Sequence, residues 1–307
     1  MKESVQILLA TYNGARYLPE QLASLQRQTY QEFTLLVSDD GSTDETPALL
    51  QELAAKWPGR VAFAAHAPAL GNARDNFFWL MEQSRADYVL FCDQDDVWNP
   101  DKVEKTLAGL RQLEQGNPAM PVLFFTDQTP VDAELQPIAP SLMRMQQQDA
   151  SQTDYRRLLF QNIVTGCAAG ANRAAIQLAL KCQNWQDVIM HDWWLGLVVS
   201  RFGKIGYLDE STMLYRQHGG NSVGAKQVGS LGHIVQKLTH LKLLRQTLLQ
   251  KKRQAAVFLA TYEEKLSQQE IAFLRQFAKP HSGWSFFLQN KKSINGFWRK
   301  AGFLLLG

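Results

Sequence analysis

Four short apolar runs constrain what this chain can fold into more than any other feature: VQILLA (5–10), FTLLVS (33–38), YVLFC (88–92) and VLFFT (122–126). Each is continuous rather than alternating, as a strand buried on both faces requires. The stretches between them read as helices. Leu18, Leu22 and Leu25 keep helical spacing, and Pro19 is placed for a first helical position. Ser42 and Glu45 form a capping-box pattern that opens a helix to about Ala55. A third strand is expected at 61–65, a helix around 73–84, and another helix capped by Asn99-Pro100. Strand and helix alternating at these intervals predict a parallel, doubly wound α/β sheet.

In such sheets ligands sit at the carboxyl ends of the strands. Two acidic clusters fall there, Asp39-Asp40 after the second run and Asp93-Gln94-Asp95-Asp96 after YVLFC. Three carboxylates within four residues repel one another unless a cation neutralises them or they spread into solvent. A hard divalent metal takes oxygen ligands and keeps substrate phosphates in its shell, so one reading is a metal–phosphate site. The other is a solvated turn before the helix at Asn99. Asp40 also has two readings, a helix cap or an acceptor for the imide N–H of a pyrimidine base.

Further along, 127–150 reads as a loop and 153–160 as a helix. The small-residue stretch TGCAAGANRA (165–174) suits a close backbone approach by a ligand. Asp192, before the apolar LGLVV, is either a helix cap or a working carboxylate. Trp193 and Trp194 are either an apolar or stacking wall of a site or core.

The 307 residues, 45% of them apolar, are enough for a substantial core. No stretch reaches the roughly 18 apolar residues of a membrane-crossing helix. The short apolar run at the N-terminus lacks the length and cleavage site of a signal peptide, so a cytoplasmic location is expected. Cys92, Cys167 and Cys182 have no CxxC spacing, which points away from a disulfide framework or zinc knuckle; Cys92, in an apolar run, reads as a buried thiol. The net charge of +3 hides an asymmetry: residues 226–307 hold fourteen Lys/Arg against three acids. The expected division is therefore a domain over 1–225 and a basic helical region over 226–307. There Leu231, Ile234, Val235, Leu238, Leu241, Leu244 and Leu248 keep the spacing of an amphipathic face. At the end, WSFFLQNKKSINGFWRKAGFLLLG mixes aromatics with Lys/Arg pairs, which suits peripheral contact with an anionic membrane surface. A merely solvated polar face is the alternative, and no nucleic-acid motif is present.

The run ILLATYNGARYLPEQLASLQRQTYQEFTLLVSDDGSTDET, then GNARDNF, then ADYVLFCDQDDVWNPDKVE, resembles glycosyltransferase family 2. The likeness is close over residues 4–110 and looser to about 222. HDWW (191–194) and YRQHGGNSVGA (215–225) resemble its bacterial rhamnosyltransferase-like branch. The resemblance implies a GT-A fold, a Rossmann-like, mostly parallel sheet flanked by helices, here with a C-terminal helical extension. It implies that Thr11, Tyr12 and Asn13 line the nucleotide pocket, that Asp40 binds the base, and that Arg74 lies near the donor phosphate or sugar. Asp93 is implied as a contact to the ribose or the metal-bound donor. Asp95 is implied as the main metal-ligating carboxylate, with His218 reaching the metal or diphosphate. Asp192 matches the catalytic base, which His191 would position or pack against; Asp96 is an extra acid. The implied cofactor is Mg²⁺ or Mn²⁺.

The implied reaction is inverting sugar transfer, with L-rhamnose from dTDP-rhamnose as the donor the branch suggests. The acceptor would be a glycan or lipid-linked sugar of a cell-surface polysaccharide, met on the inner face of the cytoplasmic membrane. A different donor sugar and a degenerate glycan-binding module stay open. A nucleotidyltransferase is disfavoured, because ATYNG stands where that class resembles a Gly-rich, Arg-containing loop.

Overall fold

The computed structural model describes residues 3–218 and 237–279. Its first part follows the expected alternation. Strands β1 (Val5–Thr11), β2 (Phe33–Asp39), β3 (Val61–Phe63) and β4 (Tyr88–Cys92) pair in parallel in the order β3-β2-β1-β4. Helices α1 (Leu18–Gln26), α2 (Thr46–Lys56) and α3 (Ala73–Gln83) are the crossovers. Ile7, Leu8 and Leu9 all have 0% exposure, the burial on both faces that a continuous apolar run demands. Thr11 pairs with Asp39 and Leu9 with Cys92, so the chain leaves β1, β2 and β4 side by side along one edge.

Local signals shift at three helix starts. Pro19 is the second residue of α1, after Leu18. The capping box at Ser42 and Glu45 does not form, because the Ser42 hydroxyl donates 2.6 Å to the Asp39 carboxylate, a charge-assisted bond. Asp44 accepts the Thr46 N–H at the start of α2 instead. Asn99 does not cap α4 (Lys102–Glu114); its amide donates to the Ser211 carbonyl, 3.0 Å away.

Beyond β4 the sheet is mixed rather than parallel throughout. β5 (Val97–Trp98) is a two-residue edge strand, and β6 (Val122–Val131) runs well past the expected 122–126. The chain then wanders through the short helices α5 (Leu142–Met145) and α6 (Tyr155–Leu158), the latter a single turn within the expected 153–160. It enters β7 (Ala169–Asn172) antiparallel to both β4 and β6. After α7 (Arg173–Ala179) and α8 (His191–Phe202), β8 (Lys204–Arg216) lies parallel to β6 and antiparallel to β5. Among the described residues the order is β3-β2-β1-β4-β7-β6-β8-β5. The small residues of 165–174 serve packing inside the protein: a Cβ at Gly170 would lie 2.9 Å from Thr106 and 3.0 Å from the Val89 carbonyl.

One face of the sheet is covered by α1, α2 and α4, the other by α3, α7 and α8. Helices α9 (Lys237–Tyr262) and α10 (Gln268–Ala278) dock on α8. Trp194 meets Phe258 edge-on at 6.0 Å and stacks on Tyr262 at 6.1 Å, while Arg201 of α8 grips Glu270 of α10 through two hydrogen bonds. Phe258, Tyr262, Leu274 and Phe277 thereby join the core that contains Trp194. The charge boundary near residue 225 lies outside the described residues, as do Leu231, Ile234, Val235 and the aromatic–basic tail from 284. The side chains of Leu238, Leu241 and Leu244 are outside them too, while Leu248 packs at the margin of the core. No helix among the described residues is long and apolar enough to cross a membrane. All three cysteines are buried and free.

Candidate active site

The loop leaving β1 is built by side chains of the loop leaving β2. Asp39 accepts from the Thr11 hydroxyl at 2.7 Å and from Ser42. Asn13, with φ 45°, donates its N–H to the Ser42 hydroxyl at 2.8 Å and accepts the Thr43 N–H on its side-chain oxygen at 2.8 Å. The Tyr12 ring is left 57% exposed at this rim. Asp40 caps no helix. Its carboxylate is buried and accepts the Gly71 N–H at 2.8 Å and the Leu70 N–H, holding the 70–71 segment against the end of β2. A carboxylate has about four acceptor positions, of which these two amides take two, and His66 Nε2 stands 4.0 Å from Oδ1.

The turn after β4 divides its acids. Asp93 is half-buried and is pushed up to about 7 by burial, then by the charges of Asp95 and Asp192. Asp95 is also half-buried, 2.7 Å from Nε2 of His218, whose ring packs on Tyr17 at 4.7 Å. Asp96 turns inward and is fully buried, accepting the Arg216 N–H at 3.0 Å. Burial and the neighbouring carboxylates push it well above the usual carboxylate range. Below it Lys102 is buried over the Trp98 ring, with its amine held down to about 8 by burial. Asp93, Asp96 and Cys167 each bring one ligand atom within 4.8 Å of the others. This converging set is two carboxylates and a thiol, while the His218 imidazole pairs with Asp95 beside it; a divalent cation such as Mg²⁺ or Mn²⁺ would relieve the repulsion of the crowded carboxylates.

Arg216, the last residue of β8, braces this turn. Its Nε donates to the Asp95 carbonyl at 2.8 Å, and its other nitrogens reach the Ala133 carbonyl and the Glu20 carboxylate. The guanidinium also lies over Tyr17, 4.5 Å from the ring centre. This residue carries none of the assignments read from the sequence. Its position two before His218, in a motif otherwise read for its histidine, was the available signal.

Asp192 sits in the first turn of α8, 9% exposed. It accepts the Gly166 N–H at 2.9 Å and the Trp193 N–H, yet burial outweighs these bonds and pushes it up to about 6. His191 packs: its ring lies 4.0 Å from that of Phe77 and 5.1 Å from that of Phe91, and burial pushes it down to about 3, so it is neutral. A Cβ at Gly166 would meet His191 Nε2 at 2.7 Å, so glycine lets the two segments close on each other. Trp194 is wholly core, the second of its two readings. Trp193 is half-buried, with Lys251 5.6 Å over its ring.

Arg74 stands apart from the acidic turn in its bonding. It pairs with Asp75 at 2.8 Å and donates to the Gln186 and Val188 carbonyls at 2.8 and 2.9 Å. The guanidinium thus ties down the segment leading into α8. The structure therefore brings Thr11, Tyr12, Asn13 and Asp40 to one rim and Asp93, Asp95 and His218 to the centre. Asp192 is close enough to raise the Asp93 carboxyl.

A family model described as Glycosyl transferase family 2 matches residues 6–177, more than half of the chain. The dTDP-rhamnosyl transferase RfbG of Shigella flexneri is 29% identical over 229 residues, 71% of this chain and 74% of that protein. The putative teichuronic acid biosynthesis glycosyltransferase TuaG of Bacillus subtilis is 31% identical over 108 residues, covering 34% of this chain and 41% of its own. Among solved structures, S. aureus TarS 1–349 in complex with UDP-GlcNAc has a TM-score of 0.57 at 15% identity, over 98% of this chain and 78% of that one. The mannosyltransferase PcManGT from Pyrobaculum calidifontis, in complex with GDP-Man and Mn²⁺, has a TM-score of 0.53 at 13% identity, over 98% and 78%. At those identities the shared feature is the fold, which is the expected GT-A arrangement.

Proposed function

The chain belongs to glycosyl transferase family 2, and from that premise we propose that it is an inverting, metal-assisted transferase acting on a nucleotide sugar. dTDP-L-rhamnose is the leading donor, and a hydroxyl of a glycan or lipid-linked acceptor of a cell-surface polysaccharide receives the sugar. One observation carries this reading: a buried carboxylate pushed up to about 6 stands within electrostatic reach of an acidic turn in which Asp95 meets a histidine. The donor sugar rests on the likeness to the dTDP-rhamnosyl transferase RfbG.

In this reading Thr11 and Asn13 shape the base and ribose rim, and the exposed Tyr12 ring covers the base. Asp40 offers its remaining lone pairs to the imide N–H. Asp93 orients the ribose, and Asp95 with His218 holds the cation, Mg²⁺ or Mn²⁺. When bound, that cation neutralises the charge developing on the departing diphosphate. Asp192 takes the proton of the acceptor hydroxyl. Raised towards 6, its carboxylate is a better base than an ordinary aspartate and is still ionised at neutral pH. With one base and no enzymic nucleophile, a single in-line displacement inverts the anomeric centre. Trp193 borders the acceptor side, and Arg74 acts through the segment entering α8. The basic, aromatic C-terminal residues would hold the enzyme peripherally at the inner face of the cytoplasmic membrane, where a lipid-linked acceptor is found.

Purified protein is offered dTDP-rhamnose, UDP-GlcNAc and GDP-mannose with Mn²⁺ and a lipid-linked acceptor, and released nucleoside diphosphate is measured. Release from dTDP-rhamnose above the other two is the expected result. Release from none of them overturns the reading, and release from another donor corrects the sugar.

A further inference from the structure

The β1–β4 ladder ends at Leu9 and Cys92, but the two chains remain joined beyond it. Gln94, between two acids of the metal turn, accepts the Tyr12 N–H on Oε1 at 2.8 Å. Its Nε2 donates to the Tyr12 carbonyl at 3.0 Å. The side-chain amide thus pairs with both backbone groups of one residue, as a neighbouring strand would. Gly14 makes the room: a Cβ there would lie 2.2 Å from Gln94 Oε1 and 2.4 Å from its Cδ. Gly14 is otherwise held by its N–H to the Thr46 hydroxyl at 2.8 Å, so the backbone cannot easily back away. A glycine in the first motif and a glutamine in the second, eighty residues apart, are therefore one contact.

We propose that Gln94 is a positioning residue that sets the spacing between the nucleotide-lining loop 11–13 and the metal turn 93–96. The proposal rests on the nucleotide-sugar reading of this site. A nucleoside diphosphate has its base and ribose on the first loop and its phosphates at the second, so it is bound well only when both stand at the right separation. Gln94 holds that separation before the ligand arrives, and the two ends of the donor then bind as one unit. Its chemistry is specific. Glutamate keeps the acceptor for the Tyr12 N–H but turns a carboxylate onto the Tyr12 carbonyl, and asparagine is a methylene too short for both bonds.

The test uses the full chain as wild type, Gln94→Ala, Gln94→Glu, Gly14→Ala and the double variant Gly14→Ala/Gln94→Ala. Calorimetry measures the affinities of dTDP, UDP and GDP with and without Mn²⁺, and melting temperatures are recorded. For the nucleotide that wild type binds, Gln94→Ala and Gly14→Ala each weaken binding about tenfold, and Gln94→Glu at least as much. The double variant is no weaker than the worse single one, because all remove the same contact. The enhancement of nucleotide affinity by Mn²⁺ falls in Gln94→Ala, while its melting temperature stays within a few degrees because Tyr12 and Gln94 border solvent. Unchanged nucleotide affinity in Gln94→Ala, or additive losses in the double variant, overturns the positioning role alone. A wild type that binds none of the three nucleotides overturns the nucleotide-sugar reading and the positioning role with it.

Discussion

Asp192 shows how a single side chain carries both a cost and a use. Burial raises it to about 6, against four hydrogen bonds that favour the ionised form. If it is the base, kcat/KM rises as pH passes through about 6 and levels above it. Asp192→Asn lowers transfer at least a hundredfold with nucleoside diphosphate affinity nearly unchanged; retained transfer removes Asp192 from the role. Stability has the opposite sign. The folded carboxyl lies above its ordinary 3.8, so the native state holds the proton more tightly than the unfolded chain. That contribution is full below about 3.8 and is lost as pH rises through about 6. The melting temperature of Asp192→Asn minus that of wild type therefore grows between pH 4 and pH 7, and a difference independent of pH contradicts the shift.

At the scale of elements, the site is a junction of strand ends that the strands alone do not hold. β8 reaches it at its end, where Arg216 ties the acidic turn to α1 through Glu20 and to the segment after β6 through Ala133. Arg216→Ala removes the donors to the Asp95 and Ala133 carbonyls and leaves the turn unsupported, so a loss of about 3 kcal/mol is expected. Arg216→Lys recovers little, since an ammonium cannot fork to three acceptors at fixed angles. Chemical denaturation reads the stability, and Mn²⁺ titration reads the site. Mn²⁺ affinity falls in both variants because Asp95 and His218 no longer converge. Full affinity in Arg216→Ala would show that the turn stands without its brace. Arg74 does the equivalent at the other side, binding the segment that delivers α8 and Asp192.

Across the whole molecule, charge and core divide the chain differently. The positive excess begins near residue 226, yet α9 and α10 bury Phe258, Tyr262, Leu274 and Phe277 in the core of the sheet. A chain cut at 225 would expose that apolar surface. Residues 280–307 add four Lys/Arg and no acid, with Trp and Phe between them. Ending the chain at 279 is expected to abolish sedimentation with phosphatidylglycerol vesicles. Undiminished sedimentation removes the tail from membrane contact.

The strands β1, β2, β4 and β6, their order of crossover helices and the acidic turns at their ends were legible in the residues themselves. A continuous apolar run is a local signature of burial on both faces, and the parallel topology then places the following loops on one edge. The motifs in their order pointed to the family for the same reason: each is short and contiguous. The antiparallel entry of β7, the inward turn of Asp96, Asp40 on the amides of 70–71, His191 between two phenylalanines and the Gln94–Gly14 contact were not legible. Each depends on which distant segments meet after the sheet closes. Periodicity reports which face of an element is buried, but a polar side chain finds its partner only when the tertiary structure brings one within 3 Å or so.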